Sequence, residues 1–412
     1  MSSYEDWYNT LPEAMNNNKM TDKKKSDLYE KLWKDNDFWI GFKKNEIAII
    51  KNTIWNGKIS TNSYSFCERE CDKSKDEKTI KRELLSNIFG IKTKQLFEDK
   101  FNEAVSGSEL NKITTLHSSS LCCLLFFYNI KNNPLELELL TPKGKMKIEF
   151  TDSVFEFKSP VFNRPSNIDV VLKGNIIEPV EMNRKDVLLF LESKFAEYYL
   201  ATGTTCDINI KYFDEKPDNY PNYSYEIYRG DKNILKKLNI DRKSEEKTKN
   251  NSKYYVLDSE ETFYIEGIKQ MVSHYCGIRN LIEGRFHKNT NNDSDKEKVA
   301  LNKMIKTKHP IIILGEILFD HIIGDFSLKS GKKCIDCYKE KYKILANALY
   351  EQVKNGNLEH RLYILSEPLK YSSVNMAVKE IEPQIKAFYR MNLSAKDADS
   401  KPIKVVCCPN KP

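Results

Sequence analysis

The sequence predicts an α/β protein with a central mixed β-sheet flanked by helices, a helical N-terminal extension and charged insertions. Three observations carry this reading. Three runs rich in Val, Ile, Leu and Phe, namely KMKIEFTDSVFEFKSP, SNIDVVLKG and DVLLFLESKFAEYY, follow one another between Pro, Gly and Asn boundaries. A helical pattern comes next in ETFYIEGIKQMVSHYCGIRNLIEG. Two further strand-like runs, HPIIILGEILFD and RLYILSEPL, are separated by a long helical stretch. Consecutive strands predict a meander, and helix-linked strands predict a crossover unit.

Each element has a local reason. LHSSSLCCLLFFYNI, from Leu116, reads as a helix because Ser118 to Ser120 offer an N-cap ahead of a largely apolar body. In the later helix, Ile265, Ile268, Val272 and Tyr275 recur at three to four residues, and Gly284 stands near its end. A long helix is expected over roughly Cys334 to Lys354. Residues 229–253 and 287–300 are polar and mostly charged, so both are expected to be surface insertions. The mixed-charge run ERECDKSKDEKTIKRE reads as a solvated linker or an exposed helix face. The expected organisation is an extension over 1–104, the main α/β unit over 105–375, and a C-terminal helix and tail over 376–412.

Composition narrows the function classes. The formal net charge is +7, which suits a polyanionic partner without requiring one. The start MSSYEDWYNTLPEAMNNN lacks a basic segment leading into an apolar one, so no secretory signal is expected. LCCLLFFYNI is far shorter than the roughly 20 apolar residues that span a bilayer, so no membrane partner is expected and the location is expected to be cytoplasmic. The ten cysteines then read mostly as small buried apolar groups. No phosphate loop of the GxxxxGK[ST] type is present, which argues against an intrinsic ATPase.

The chemistry-bearing pattern is an acid on one strand followed by Glu-x-Lys on the next. Asp169 sits in NIDVVL, and Glu192 and Lys194 sit in LLFLESKF. Side chains alternate along a strand, so Glu192 and Lys194 share a face and Ser193 points the other way. If the strands pair, Asp169 lies beside Glu192. Two carboxylates on neighbouring strands, with the backbone carbonyl of Ser193, make a hard oxygen site suited to Mg²⁺. Charged groups ending an apolar run must pair, reach solvent or bind a metal, because an isolated buried charge is very costly.

Asp169 with Glu192-Ser193-Lys194, in a helix, three strands, helix, strand order, resembles the PD-(D/E)xK, or restriction-endonuclease-like, superfamily. The resemblance implies a restriction-endonuclease-like core over 105–375. It implies that Asp169 and Glu192 bind Mg²⁺, or Mn²⁺ in its place. It further implies that Lys194 positions or activates the attacking water and stabilises the transition state. The residue before Asp169 is Ile168 rather than Pro, a departure from the motif. RecB-like branches carry a Gln and a Tyr on the helix after the Glu-x-Lys strand. Gln270 and Tyr275 are similar, with one more residue between them than is usual, and Gln270 and Lys269 are candidates to face the site. The implied function is Mg²⁺-dependent DNA cleavage by an endonuclease, and enzymes of this kind often act as homodimers. The alternatives are a RecB-like exonuclease or structure-selective repair nuclease, and a non-catalytic nucleic-acid-binding module.

Other residues have a plainer reading beside the functional one. Glu103, Glu109 and Glu156 are candidate additional acids that read first as solvated side chains. Lys158, Arg164, Lys173 and Arg184 are candidate phosphate contacts near the active strands. Cys334, Cys337, Cys407 and Cys408 offer four thiols, but adjacent cysteines ligate zinc awkwardly. His117 beside three serines reads as part of a helix start rather than a triad. His274 reads as a packed helix residue.

Overall fold

Hydrophobic periodicity and capping residues account for most of the elements formed. A computed structural model describes residues 47–51, 64–68, 75–105, 109–111, 113, 118–161, 165–182, 185–194, 205–215, 222–229, 233–249, 252–259, 265–285, 296–319 and 334–374. The chain divides into two compact units: residues 1–129 with 320–323 and 378–412, and residues 130–319 with 324–377. No helix among the described residues is long and apolar enough to cross a membrane.

In the first unit, β1 (Ile47–Lys51) and β2 (Tyr64–Glu68) pair antiparallel. The expected helical extension therefore also contains a strand pair. Helix α1 (Glu77–Phe89) starts where the Asp76 side chain accepts the Thr79 N–H, and stops at Gly90, whose φ of 64° suits a residue without Cβ. Helix α2 (Lys94–Ala104) buries Phe97, Phe101 and Ala104 at helical spacing. Helix α3 (Ser119–Phe127) is capped by Ser118, which accepts from the Leu121 N–H. Its almost wholly buried body belongs to this first unit.

The second unit holds the central sheet. Strands β3 (Leu135–Thr141), β4 (Gly144–Pro160), β5 (Pro165–Glu178) and β6 (Asp186–Lys194) form an antiparallel meander. Strand β3 was not anticipated, although LELELLT alternates buried and exposed along its whole length. A smaller sheet follows, from β7 (Thr205–Asn209), with short helices α4 (Tyr223–Arg229) and α5 (Ile234–Lys237), then β8 (Ile240–Lys249) and β9 (Ser252–Ser259). Its order is β7-β9-β8, all antiparallel. The expected charged insertion at 229–253 is thus corrected: much of it is an edge strand. An edge strand needs a paired backbone on one side only and tolerates charges facing water. Arg242 of β8 also stacks over Tyr255, 4.6 Å from its ring centre.

Helix α6 (Ile265–Ile282) and helix α7 (Lys296–Thr307) lead to β10 (Ile311–Leu318). The expected insertion at 287–300 therefore ends inside a helix. Residues 286–295 lie outside the described residues, and 296–300 open α7, which is anchored further on by Leu301 and Ile305. Helix α8 (Cys334–Asn355) precedes β11 (Leu362–Ile364) and β12 (Leu369–Lys370). The sheet runs β11-β10-β6-β5-β4-β3, with β12 also against β10. Strands β6, β10 and β11 are parallel. The result is an α/β unit with a mixed sheet and helices on it, meander first and crossover second.

The register sets what faces the helices. Leu188, Ile312 and Leu362 form one row, and Phe190, Leu314 and Ile364 the next. These pack in one core with Met271, Val272 and Tyr275 of α6 and Leu345, Leu349 and Val353 of α8. Continuing the same row spacing brings Glu192 and then Lys194 to that helix-covered face. Helix α6 settles closely onto β4. A Cβ at Gly277 would stand 2.3 Å from Ser159 Oγ, and Asn280 Nδ2 donates to the Pro160 carbonyl at 2.9 Å.

Gly277→Val tests that approach. Forcing two methyl groups against β4 should cost about 1–3 kcal/mol, as overpacking does. Thermal unfolding should show a midpoint lower by several degrees, and an unchanged midpoint would contradict the close contact.

Candidate active site

The site forms where β5 and β6 stop pairing. Their last partners are Val170 and Leu191, so Asp169 comes across from Glu192 one step further on. The separation leaves the Ser193 N–H without a strand carbonyl to meet, and Asp169 Oδ2 accepts it at 2.7 Å. Within a strand, a residue's N–H and C=O point to the same edge, so the Ser193 carbonyl is directed toward Asp169 as well. The Lys194 carbonyl points the other way and accepts from the Phe319 N–H at 2.8 Å.

Glu192 and Lys194 end an apolar strand and are only 3% and 2% exposed. Their charges are satisfied locally. Lys194 Nζ donates to Glu192 Oε1 at 2.6 Å and to Gln270 Oε1 at 2.7 Å. Glu192 Oε2 lies 2.8 Å from His274 Nε2, and His274 Nδ1 lies 2.7 Å from Ser166 Oγ. Gln270 and His274 are four residues apart on α6 and so share one face of it. On the opposite side of the strand, Ser193 Oγ hydrogen-bonds Tyr371 Oη at 2.8 Å. Burial pushes the Glu192 carboxyl up, but the Lys194 ammonium and His274 outweigh it and hold the group down at about 2. Glu192 is therefore a carboxylate at neutral pH.

The sequence-derived candidates thus separate into two sets. Asp169, Glu192, Ser193, Lys194 and Gln270 come together. Lys269 does not join them: its Nζ reaches the Asp207 carbonyl at 3.5 Å. Tyr275 is buried in the core, its hydroxyl accepting from Arg279 at 3.1 Å, because it lies one position round the helix from His274. Glu103 pairs with Lys100, and Glu109 accepts from Ser120, both within the first unit. Lys173 is held by Asp152 at 2.5 Å, and Lys158 is half-buried. Cys337 is buried and in no disulfide. Arg164, Arg184, His117, Cys407, Cys408 and the Cys334 side chain lie outside the described residues.

Glu156 is not the solvent-facing strand residue expected of it. It is buried, has a left-handed φ of 49°, and by register stands across β4 and β5 from Asp169. Glu316 was also missed. It is fully buried, pairs in register with Glu192, and accepts a hydrogen bond from Tyr338 Oη at 2.7 Å. A charged residue inside IIILGEIL, at the same height as Glu192 on a parallel strand, was the available signal. For His274 the signal was its spacing from Gln270. Ser166 gave none.

The donor set is compatible with Mg²⁺. Among the described residues no three acidic, His or Cys side chains gather as a closed cation cage. Mg²⁺ needs no such cage, since it is commonly held by one or two carboxylates and completes its shell with water and substrate phosphate oxygens. Asp169, Glu192 and the Ser193 carbonyl are hard oxygen donors at one place.

The depressed Glu192 carboxyl makes a pH prediction. Its stabilisation is fully present above the ordinary value of 4.5 and is lost as pH falls toward about 2. Urea unfolding in EDTA should show wild type more stable than Glu192→Gln at neutral pH. That gap should shrink by on the order of 3 kcal/mol between about pH 5 and pH 2. A gap independent of pH would mean that Glu192 does not sit in this pair.

Set against family models, curated proteins and solved structures, the chain matches none of them.

Proposed function

We propose that the chain is a restriction-endonuclease-like nuclease that hydrolyses DNA phosphodiester bonds with Mg²⁺, or with Mn²⁺ in its place. The observation that carries this reading is the meeting of Asp169 with Glu192 where β5 and β6 part, with the Lys194 ammonium 2.6 Å from the second acid. The order of a four-strand meander, then, beyond the smaller sheet, helix α6 and the parallel strand β10 supports it, as does Gln270 reaching Lys194 from that helix.

Asp169, Glu192 and the Ser193 carbonyl would hold the cation. When bound, it would supply charge neutralisation on the scissile phosphate and make water a better nucleophile near neutral pH. Lys194 would donate to a phosphate oxygen or to the attacking water and offset negative charge as it builds. Gln270 fixes where that ammonium sits, so little reorganisation is needed when substrate arrives. The net charge of +7 favours approach of a polyanion.

Purified full-length chain should be incubated with supercoiled plasmid, linear duplex and RNA, in Mg²⁺, Mn²⁺ or EDTA. An endonuclease nicks or linearises the closed circle in Mg²⁺ or Mn²⁺ and leaves it intact in EDTA. A RecB-like exonuclease spares the circle and degrades the linear duplex. Lys194→Ala should lower the rate about a hundred- to a thousandfold, the usual loss for a transition-state donor. Intact nucleic acid under every condition, or full activity in Asp169→Asn and Glu192→Gln, would end the nuclease reading.

A further inference from the structure

A hydrogen-bonded chain runs behind Glu192. Ser166 Oγ lies 2.7 Å from His274 Nδ1, and His274 Nε2 lies 2.8 Å from Glu192 Oε2. A carboxylate only accepts, so the proton is on Nε2; in the neutral ring, Nδ1 then accepts from the Ser166 hydroxyl. His274 is 1% exposed, so its ring is held by packing as well as by these two bonds. Gly277, three residues along the helix, brings this stretch of α6 down onto β4 beside Ser159, and Ser159 is the strand partner of Ser166. Ring, serine and carboxylate thus sit on elements whose spacing is fixed by direct contact.

The two oxygens of Glu192 are held differently. Oε1 is held by Lys194, whose ammonium also has Gln270 Oε1 at 2.7 Å. If Lys194 releases Oε1, it keeps a partner, which matters because an unpaired buried ammonium is costly. Oε2 is held by His274, whose second nitrogen is braced by Ser166. Giving up Oε1 would leave Lys194 its bond to Gln270, whereas giving up Oε2 would take from the buried His274 Nε2–H its acceptor on Glu192.

We propose that His274, braced by Ser166, is the positioning residue that clamps Glu192 Oε2 while Oε1 passes from Lys194 to a divalent cation, with Gln270 retaining the released ammonium. This rests on the cation site of the nuclease reading and adds to it how Glu192 is aimed. Side chains that orient a ligating group from behind typically change metal affinity ten- to a hundredfold when removed.

Binding of Mn²⁺ to the purified full-length chain, followed by the electron paramagnetic resonance signal of free Mn²⁺, tests this without cleavage as the readout. His274→Ala should raise the Mn²⁺ Kd about ten- to a hundredfold. Ser166→Ala should raise it severalfold, and His274→Gln, whose amide can donate to the same oxygen, should recover most of the loss. Thermal melts of the same samples report folding. A wild-type Kd in folded His274→Ala overturns the clamp. Should His274→Ala fail to fold, Ser166→Ala decides, and an unchanged Kd there overturns it. The two readings fail separately. If wild type binds no Mn²⁺, or Glu192→Gln binds it equally well, the cation site and the nuclease reading both fall. If binding is lost in Glu192→Gln but unchanged in both His274→Ala and Ser166→Ala, only the clamp falls.

Discussion

The burial of the Glu192–Lys194 ion pair at the end of β6 is the constraint around which this region is organised. Both side chains are all but inaccessible to water. A buried pair is tolerated only where its remaining donors and acceptors are matched, and removing one partner typically costs about 3–5 kcal/mol because the other is stranded. That requirement accounts for two polar residues of α6. Gln270 takes a second bond from the ammonium, and His274 takes the second carboxylate oxygen. Strand alternation brings both charges to the helix-covered face, while Ser193 between them finds Tyr371 on the other.

The apolar core and the polar network depend on the same placement of α6. Met271, Val272 and Tyr275 pack against the sheet rows led by Phe190 and Leu314. Gln270 and His274 occupy the strip of the helix that continues those rows past Leu191, where the sheet turns from apolar to charged. Gly277 removes the side chain that would lift the helix off β4. Glu316 shows the same economy on the next strand. It stands level with Glu192, yet it is supplied by a separate donor, Tyr338 of α8. Two buried carboxyl groups on neighbouring strands are thereby each given their own partners rather than set against one another.

Much of this was legible because strands and helices leave different periods. Three of the four meander strands, the helix carrying Gln270, the buried strand at 311–318 and the long helix after it all announced themselves as apolar patterns with turn residues at their ends. So did the pairing of Asp169 with Glu-x-Lys, since strand alternation dictates the faces. What stayed hidden has physical causes. Strand β8 is held by pairing and by Arg242 on Tyr255, and its own composition reads as solvated loop. The left-handed turn of backbone at Glu156 leaves no trace in a sequence of ordinary strand formers. The link from Ser166 to His274 joins residues 108 positions apart, and only the tertiary contact of β5 with α6 creates it.

The signs of the charges bear on which function the site suits. A surface built only to grip a phosphate backbone would present cations and amides, as phosphate sites generally do. Here the β5–β6 junction offers half-buried Asp169 with buried Glu192 behind it, one ammonium, and a carbonyl directed the same way. His274 aside, Asp169 and Glu192 set two acids against one ammonium where the proposed reading would seat a phosphodiester. On that reading such a site would repel DNA unless a cation intervened. A divalent cation held there would offset the acids, which would then be the reason a phosphate is held rather than the reason it is refused. The arrangement is therefore economical for a metal-dependent hydrolase and wasteful for a passive binding module. On the proposed nuclease reading the second acceptor of Lys194 has a use: an ammonium that would serve Glu192 first and a phosphate afterwards would be held by Gln270 during the exchange.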